Sequence, residues 1–532
     1  MQIACMLGSL LMLLLATADN YVFRFKGTEL MASDFLAIRT AAAVAGGYRF
    51  TPPRNVVLSW AAWLCWCVLN LLIRFSHSYA FFPIRILSLL AELALIALYL
   101  AATRHVKGSR WSNDGSTQYG YLLSFFLSLR DLKGVKPKDY QPKKVDRLAE
   151  SMLSASSAET DKPQRRPDLI VIMNESFADL GILGKRPNTN IPITPVLDSI
   201  SENVVRGFAL SSVYGGVTAN SEYEFLTGNS MAFFPPGTLP YQQYIHGKAY
   251  SLVTDLKQQG YQCIATHPYL EKCFARSTVY PALGFDRCFF RDDYPRKDLI
   301  RWYISDSEMY DHVIEQYENY SKNGSVFLFG VSVQNHGGYI NRGGIMENTV
   351  ELTDCPGKYP DAEQYLSLLR LSDQAIEKLL QYFKTVDRDV AVCFFGDHQP
   401  GLNERFLEQL HGGKFRSLDE KQLLKKVPFF IWANYPIREE RLECVSLNYL
   451  AEHLLKTAGL ELSPFRQYLS RMEEQIPAVN MDGYWSKASA SFRPVQEAEG
   501  LDKQLLSDYR TLVYNNALDR KHRNRRLFPD WN

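Results

Sequence analysis

The sequence predicts an α/β protein built on a mostly parallel sheet flanked by helices, preceded by N-terminal transmembrane helices. Three observations carry this reading. From about Pro167 onward, short continuous apolar runs alternate with amphipathic stretches, the pattern of strands buried on both faces by crossover helices. Three of those runs end in polar clusters, and in such folds ligands collect at the carboxyl ends of strands. Before residue 103 the chain carries apolar stretches near the ~20 residues that cross a bilayer core.

The elements follow in order. Residues 3–18 carry no charge, and neither do residues 55–73, which are bracketed by Arg54 and Arg74 and hold Trp60, Trp63 and Trp66. Residues 81–102 are uncharged except for Arg85 and Glu92. Together they predict a transmembrane anchor over 1–103 with two to three spans. A cleaved signal is the rival for the first, because Ala16-Thr17-Ala18 resembles a signal-peptidase site, but Met1-Gln2 lacks the usual basic start. Residues 30–46 read as an interfacial helix. Arg24, Lys26, Arg39, Arg49 and Arg54 fall in the loop assigned outside, against the usual charge asymmetry.

Residues 104–166 form a juxtamembrane linker with Pro137, Pro142 and several lysines. A domain over 167–480 follows, then a C-terminal extension over 481–532 with the basic run Arg520-Lys521-His522-Arg523-Asn524-Arg525-Arg526. Within the domain, strands are expected at 169–173, 261–266, 326–332, 390–395 and 427–432. Helices are expected at 196–205, 249–258 and 361–385.

Composition excludes some classes. The 59 basic residues nearly balance 57 acidic ones, so no overall field favours nucleic acid. Thirty Tyr and 30 Phe suit both lipid interfaces and carbohydrate surfaces. Nine cysteines in 532 residues do not make a disulfide scaffold, although a Cys263–Cys288 bridge is compatible with an oxidising compartment. The chain contains neither a phosphate-binding P-loop nor a G-x-G-x-x-G.

The chemistry sits in four segments. Asn174-Glu175-Ser176, Gln334-Asn335-His336-Gly337 and Gly396-Asp397-His398-Gln399 end apolar runs, and Gly215-Gly216-Val217-Thr218 leads a loop. Glu175, Asp397 and His398 offer the mixed oxygen and nitrogen set that suits Mn²⁺ or Zn²⁺. Thr218 offers a hydroxyl that such an ion can activate, but the same threonine reads equally well as a helix N-cap. His336 reads as a ligand, an acid/base or a phosphate donor, and by itself more simply as a buried structural histidine. Arg276 suits a phosphodiester oxyanion and alone is more often structural.

These residues together resemble the lipoteichoic acid synthase group of phosphoglycerol transferases, in the alkaline phosphatase/sulfatase superfamily. The resemblance runs over about residues 20–480 and rests on Glu175-Ser176-Phe177, the Gly-x-Thr loop with Ser221-Glu222-Tyr223-Glu224-Phe225, Gln334-Asn335-His336-Gly337 and Gly396-Asp397-His398. It implies a Mn²⁺-like ion held by Glu175, Thr218, Asp397 and His398, with Arg276 and His336 gripping the glycerol phosphate. Phe274 stands where the synthases usually have Trp in the substrate pocket. The family usually has five spans, more than this chain shows.

The implied reaction moves glycerol phosphate from phosphatidylglycerol, through an intermediate on Thr218, to a glycolipid, polymer or glycan acceptor outside the cell membrane. No nucleic acid is implied. A sulfatase reading fails because the Cys/Ser-x-Pro-x-Arg nucleophile motif is absent. A phosphoethanolamine transferase of the same fold stays open, as does an inactive lipid or polymer sensor that keeps the pocket.

Overall fold

The computed structural model describes residues 2–26, 29–36, 38, 51–72, 90, 124–125, 128–129, 132–156, 166–296, 298–339 and 346–531. The chain divides into two compact units, residues 1–35 with 49–132, and residues 36–48 with 133–532.

In the first unit, helices α1 (Gln2–Lys26) and α2 (Arg54–Leu72) are joined by indole donors. Trp60 Nε1 donates to Thr17 Oγ1 at 3.0 Å and Trp63 Nε1 to Ser9 Oγ at 3.0 Å. Among the described residues no helix is long and apolar enough to cross a membrane, which corrects the spans expected at 3–18 and 55–73. The uncharged part of α1, residues 2–18, is only 17 residues, about 26 Å at 1.5 Å per residue against the ~30 Å of a bilayer core. The third expected span, 81–102, lies outside the described residues apart from Leu90. Of the expected interfacial helix at 30–46, the described part is a short 3-10 turn at Ala32–Phe35.

The second unit is built on an eight-stranded sheet. Its strands are β1 (Asp168–Asn174), β2 (Val204–Leu210), β3 (Gln262–His267), β4 (Arg287–Phe290), β5 (Val326–Val331), β6 (Val390–Gly396), β7 (Lys426–Ala433) and β8 (Glu440–Ser446). Their order across the sheet is β8-β2-β7-β6-β1-β5-β3-β4. Every pairing is parallel except the two made by β7, with β2 and β6. The expectation of a mostly parallel sheet is therefore met, with one reversed strand.

Both faces of the sheet are covered, and β1 shows how. Leu169, Val171 and Met173 enter one core with Phe225, Phe329 and Phe395, while Ile170 and Ile172 enter the opposite one with Leu328, Val392 and Phe394. The two-residue period of a strand divides a continuous apolar run between two helical layers.

Helix 196–205 is not observed. Pro195 opens a short helix, Pro195–Ser199, and the chain turns into β2 at Val204. Two adjacent valines favour the pleated surface, and Gly207 admits the β8 backbone, since a Cβ there would lie 1.8 Å from Leu442 O. Strands β4 and β8 are only partly buried, so their sequences lack the continuous apolar run that marks the central strands.

The stretches expected as linker and extension pack into this unit. Helix α3 (Pro142–Ser156) buries Val145, Ala149 and Met152, spaced four and three residues apart along one face. Near it lies the long helix Gly500–Ala517: Tyr140 Oη donates to Asp519 Oδ2 at 2.8 Å, and Lys144 pairs with Asp508 at 2.9 Å. Cys263 and Cys288 are free thiols, because the β3–β4 register sets Cys288 opposite Ala265 and not Cys263.

Gly396 ends β6 where a Cβ would lie 2.0 Å from Phe177 O. Gly396→Ala is therefore expected to destabilise the protein by at least about 1–3 kcal/mol through overpacking. Urea unfolding monitored by tryptophan fluorescence measures this, and a midpoint equal to that of the wild type would contradict the close approach.

Candidate active site

Three adjacent parallel strands deliver the polar ends of their runs to one edge. The β1–β6 register places Asn174 opposite Gly396, so Glu175 and Asp397 leave the sheet side by side. On the other flank, β5 runs into Ser332, whose hydroxyl accepts the Glu175 N–H at 3.0 Å. Beyond it lie Gln334 and Asn335, both buried. Asn335 Nδ2 donates to Ser372 Oγ at 2.8 Å, and Gln334 Oε1 accepts the Asp306 N–H at 2.9 Å. Asn335 Nδ2 also donates to Asn174 Oδ1 at 3.3 Å, which fastens the ends of β5 and β1 together and leaves His336 as the residue of that motif with reactive chemistry.

Glu175, Asp397 and His398 are buried, and one ligand atom from each lies within 4.8 Å of the others. Asp397 Oδ1 accepts the N–H groups of Ser176 and His398, each at 2.7 Å, while Oδ2 has no hydrogen-bond partner. His398 Nδ1 donates to Gln399 O at 3.0 Å, which makes Nε2 an acceptor. That lone pair faces Asp397 Oδ2 at 3.1 Å and Glu175 Oε1 at 3.7 Å, again with no donor. Buried acceptors pointing at one another without a proton between them repel, and a divalent cation is the species that relieves them. The mixed O/N donor set fits such an ion.

The electrostatics agree. Burial raises the Asp397 carboxyl to about 7. Burial, then the nearby Asp397 charge, raises that of Glu175. Burial lowers the pKa of His398, keeping the imidazole neutral as a ligand requires.

Thr218 is the first residue of helix α4 (Thr218–Thr227), and its hydroxyl donates to Glu175 Oε2 at 3.1 Å. It is aimed there by strained backbone, since Val217, a β-branched residue, sits at φ 67°. The loop and the Asp-His turn are tied twice: Gly215 N–H donates to Gln399 O at 2.9 Å and Ser221 Oγ to Asp397 O at 2.7 Å.

One turn along α4 from Thr218, Glu222 binds Arg276, the first residue of helix α5 (Arg276–Leu283). Both Nε and Nη2 of the guanidinium donate to Glu222, and Nη1 donates to His267 Nε2 at 3.0 Å. Tyr280 Oη adds a bond to Glu222 Oε2 at 2.8 Å. Arg276 is thus a fully buried, compensated charge with three of its five N–H groups used. Phe274 lies beside it, its ring centroid 5.3 Å from Cζ, and both Phe274 and Ala275 take positive φ. His336 is half-buried: Nδ1 meets Tyr303 Oη at 3.3 Å, and its carbonyl accepts from Arg301 Nη2 at 2.7 Å. Burial lowers its pKa, and the neighbouring Glu175 charge opposes that.

The structure therefore brings Glu175, Thr218, Asp397 and His398 into one cluster and sets buried Arg276, with the partly buried Phe274 beside it, in an adjoining group. Glu222 and His267 are the residues sequence reasoning passed over. The signal for Glu222 was its spacing, i+4 from Thr218 on one helix face.

Glu222→Gln strands a buried guanidinium and is expected to cost about 3–5 kcal/mol. Glu222→Gln combined with Arg276→Met should recover part of that loss, as chemical denaturation would read. Glu224, also buried on α4, has its carboxyl raised to about 7 by burial. A raised carboxyl stabilises fully below its unfolded pKa of ~4.3 and loses that contribution as pH rises through 7. Melting temperatures between pH 5 and 8 should fall less steeply with pH in Glu224→Gln than in the wild type.

The chain is 29% identical over 364 residues to a putative cyclic beta-1,2-glucan modification protein of Rhizobium meliloti, covering 66% of this chain and 54% of that protein. It is 29% identical over 245 residues to the capsular polysaccharide biosynthesis protein RkpI of the same organism, covering 45% and 42%. The chain thus spans about half the length of the curated relatives it matches. Among solved structures, the phosphoglycerol transferase GacH of Streptococcus pyogenes, in complex with sn-glycerol-1-phosphate, shares the fold with a TM-score of 0.61 at 18% identity, covering 73% of this chain and 96% of GacH. The integral membrane lipooligosaccharide phosphoethanolamine transferase A of Neisseria meningitidis aligns with a TM-score of 0.50 at 13% identity, covering 85% and 84%. Residues 167–460 match the sulfatase family, and on that match the chain belongs to it.

Proposed function

We propose that this protein is a metal-dependent phosphoglycerol transferase, moving glycerol phosphate from phosphatidylglycerol to a glycan or polymer acceptor at the outer face of the cell membrane. The observation that carries the reading is the Thr218 hydroxyl, 3.1 Å from Glu175 Oε2 at the edge of a buried cluster in which Asp397 Oδ2 and His398 Nε2 lack a hydrogen-bond donor. The fold shared with GacH supports the transferred group, and the glucan and capsular polysaccharide relatives support a carbohydrate acceptor.

Glu175, Asp397, His398 and the Thr218 oxygen are the residues that would hold the metal, which we take to be Mn²⁺. Bound there, the ion would lower the pKa of the hydroxyl and stabilise negative charge on the phosphoryl oxygens. Thr218 Oγ1 forms a bond to phosphorus as the bond from phosphorus to the diacylglycerol oxygen breaks. The threonine proton passes to Glu175, the carboxylate it already faces, and from there to the departing diacylglycerol oxygen, which leaves as the alcohol. In the second half, an acceptor hydroxyl bonds to phosphorus, the Thr218–phosphorus bond breaks, and the acceptor's proton returns to Thr218. The N–H groups of Arg276 not taken by Glu222 and His267, together with His336, bind the phosphoryl and glycerol oxygens. Phe274 lines the glycerol side. Phosphoethanolamine transfer is the second reading, favoured by the fold shared with the Neisseria transferase.

Intact-mass spectrometry after incubation with phosphatidylglycerol should reveal an adduct of one phosphoglycerol on Thr218, absent in Thr218→Ala. Release of diacylglycerol should fall at least about 10³-fold in that variant, and an unaffected rate would remove Thr218 from the chemistry. An adduct formed only from phosphatidylethanolamine would select the second reading. Chelation should abolish turnover and lower the melting temperature, with Mn²⁺ restoring both. Full activity in excess chelator would refute the ligand set.

A further inference from the structure

The basic run near the C-terminus is not a loose tail. Leu527 and Phe528 are fully buried, Asn524 Nδ2 donates to Asp146 Oδ1 at 2.9 Å, and Trp531 Nε1 donates to Ala282 O at 2.9 Å. The run is laid on the surface with Arg520, Lys521, Arg525 and Arg526 exposed. Two other segments meet it. Arg520 Nη2 donates to Tyr244 O at 3.1 Å, which brings in exposed Lys248. The stretch at 133–140, with Lys133, Lys136 and Lys138 exposed, runs alongside: Tyr140 stacks edge-on with Tyr514 at 4.5 Å, and a Cβ on Gly134 would lie 2.8 Å from the Leu518 side chain.

Nearby acidic groups are spent inside the protein. Asp139 binds Lys144 and Ser507, Asp519 binds Tyr140 and His522, and Asp530 pairs with Arg523 and Arg525. Lys133, Lys136, Lys521 and Arg526 have no acidic partner among the described residues. Apolar side chains join this face, since Leu36 O accepts from Gln242 Nε2 at 3.3 Å, with Leu36 45% and Ile38 59% exposed.

We infer that this face, centred on Lys133, Lys136, Lys521 and Arg526, docks on a bilayer bearing anionic lipid. Unpaired lysines and arginines beside exposed aliphatic side chains match a negatively charged headgroup layer over an apolar interior. The inference rests on the reading that the donor is a membrane lipid, because docking here holds the domain where that lipid is presented.

The full chain, reconstituted in phosphatidylcholine vesicles with or without phosphatidylglycerol and a headgroup photocrosslinking lipid, tests it. Peptides covering 133–140 and 518–526 should be labelled at least about tenfold more with phosphatidylglycerol present, and about 1 M salt should suppress the labelling. The variant Lys133→Glu/Lys136→Glu/Lys521→Glu/Arg526→Glu should lose it while turning over a water-soluble short-chain donor at the wild-type rate. Equal labelling with and without phosphatidylglycerol would overturn the inference, as would labelling that survives charge reversal, or protection of these peptides by a soluble anionic polysaccharide with no vesicle labelling. Labelling as expected with no transfer from any donor would instead count against the proposed function and leave the docking face standing.

Discussion

Three buried acceptors that face one another without a shared proton set the terms for this structure. Glu175, Asp397 and the Nε2 lone pair of His398 can be held this close only because two neighbouring parallel strands end in register, Asn174 opposite Gly396. The sheet spends a glycine at that point, since nothing larger passes Phe177 O. Electrostatic repulsion concentrated at the edge of a well-buried core is unfavourable for folding alone. It becomes useful when a cation completes it.

Backbone strain gathers around the same place. Ser176, Val217, Phe274 and Ala275 all take positive φ without being glycine. Each stands within one or two residues of a side chain in the cluster or in the group beside it. Such conformations persist when surrounding contacts over-determine them. Here those contacts are visible: Tyr365 Oη on Ser176 O at 2.8 Å, and the two bonds linking the Thr218 loop to the Asp-His turn.

Much of this was legible in the sequence, for physical reasons. Central strands such as β1, β5 and β6 are buried on both faces and so read as continuous apolar runs, and their polar termini stood out against that background. The edge strands β4 and β8 are half-exposed and carry no such run, and β2 hid behind Pro195 and a residue pattern that suits either helix or strand. The direction of β7 depends on which neighbours it finds, which no local pattern records. Glu222 was missed because its role is to neutralise Arg276, a residue 54 positions away. At the N-terminus, hydropathy flagged apolar stretches, while the described helices there are too short or too polar to cross a bilayer.

The stitching of Gly215 to Gln399 and Ser221 to Asp397 has a mechanical consequence. Two parts of the chain separated by more than 170 residues are clamped through four backbone or hydroxyl atoms, so helix α4 and the turn after β6 behave as one stiff piece. Thermal fluctuation then displaces the Thr218 oxygen together with its neighbours, conserving their spacing while the rim around them breathes.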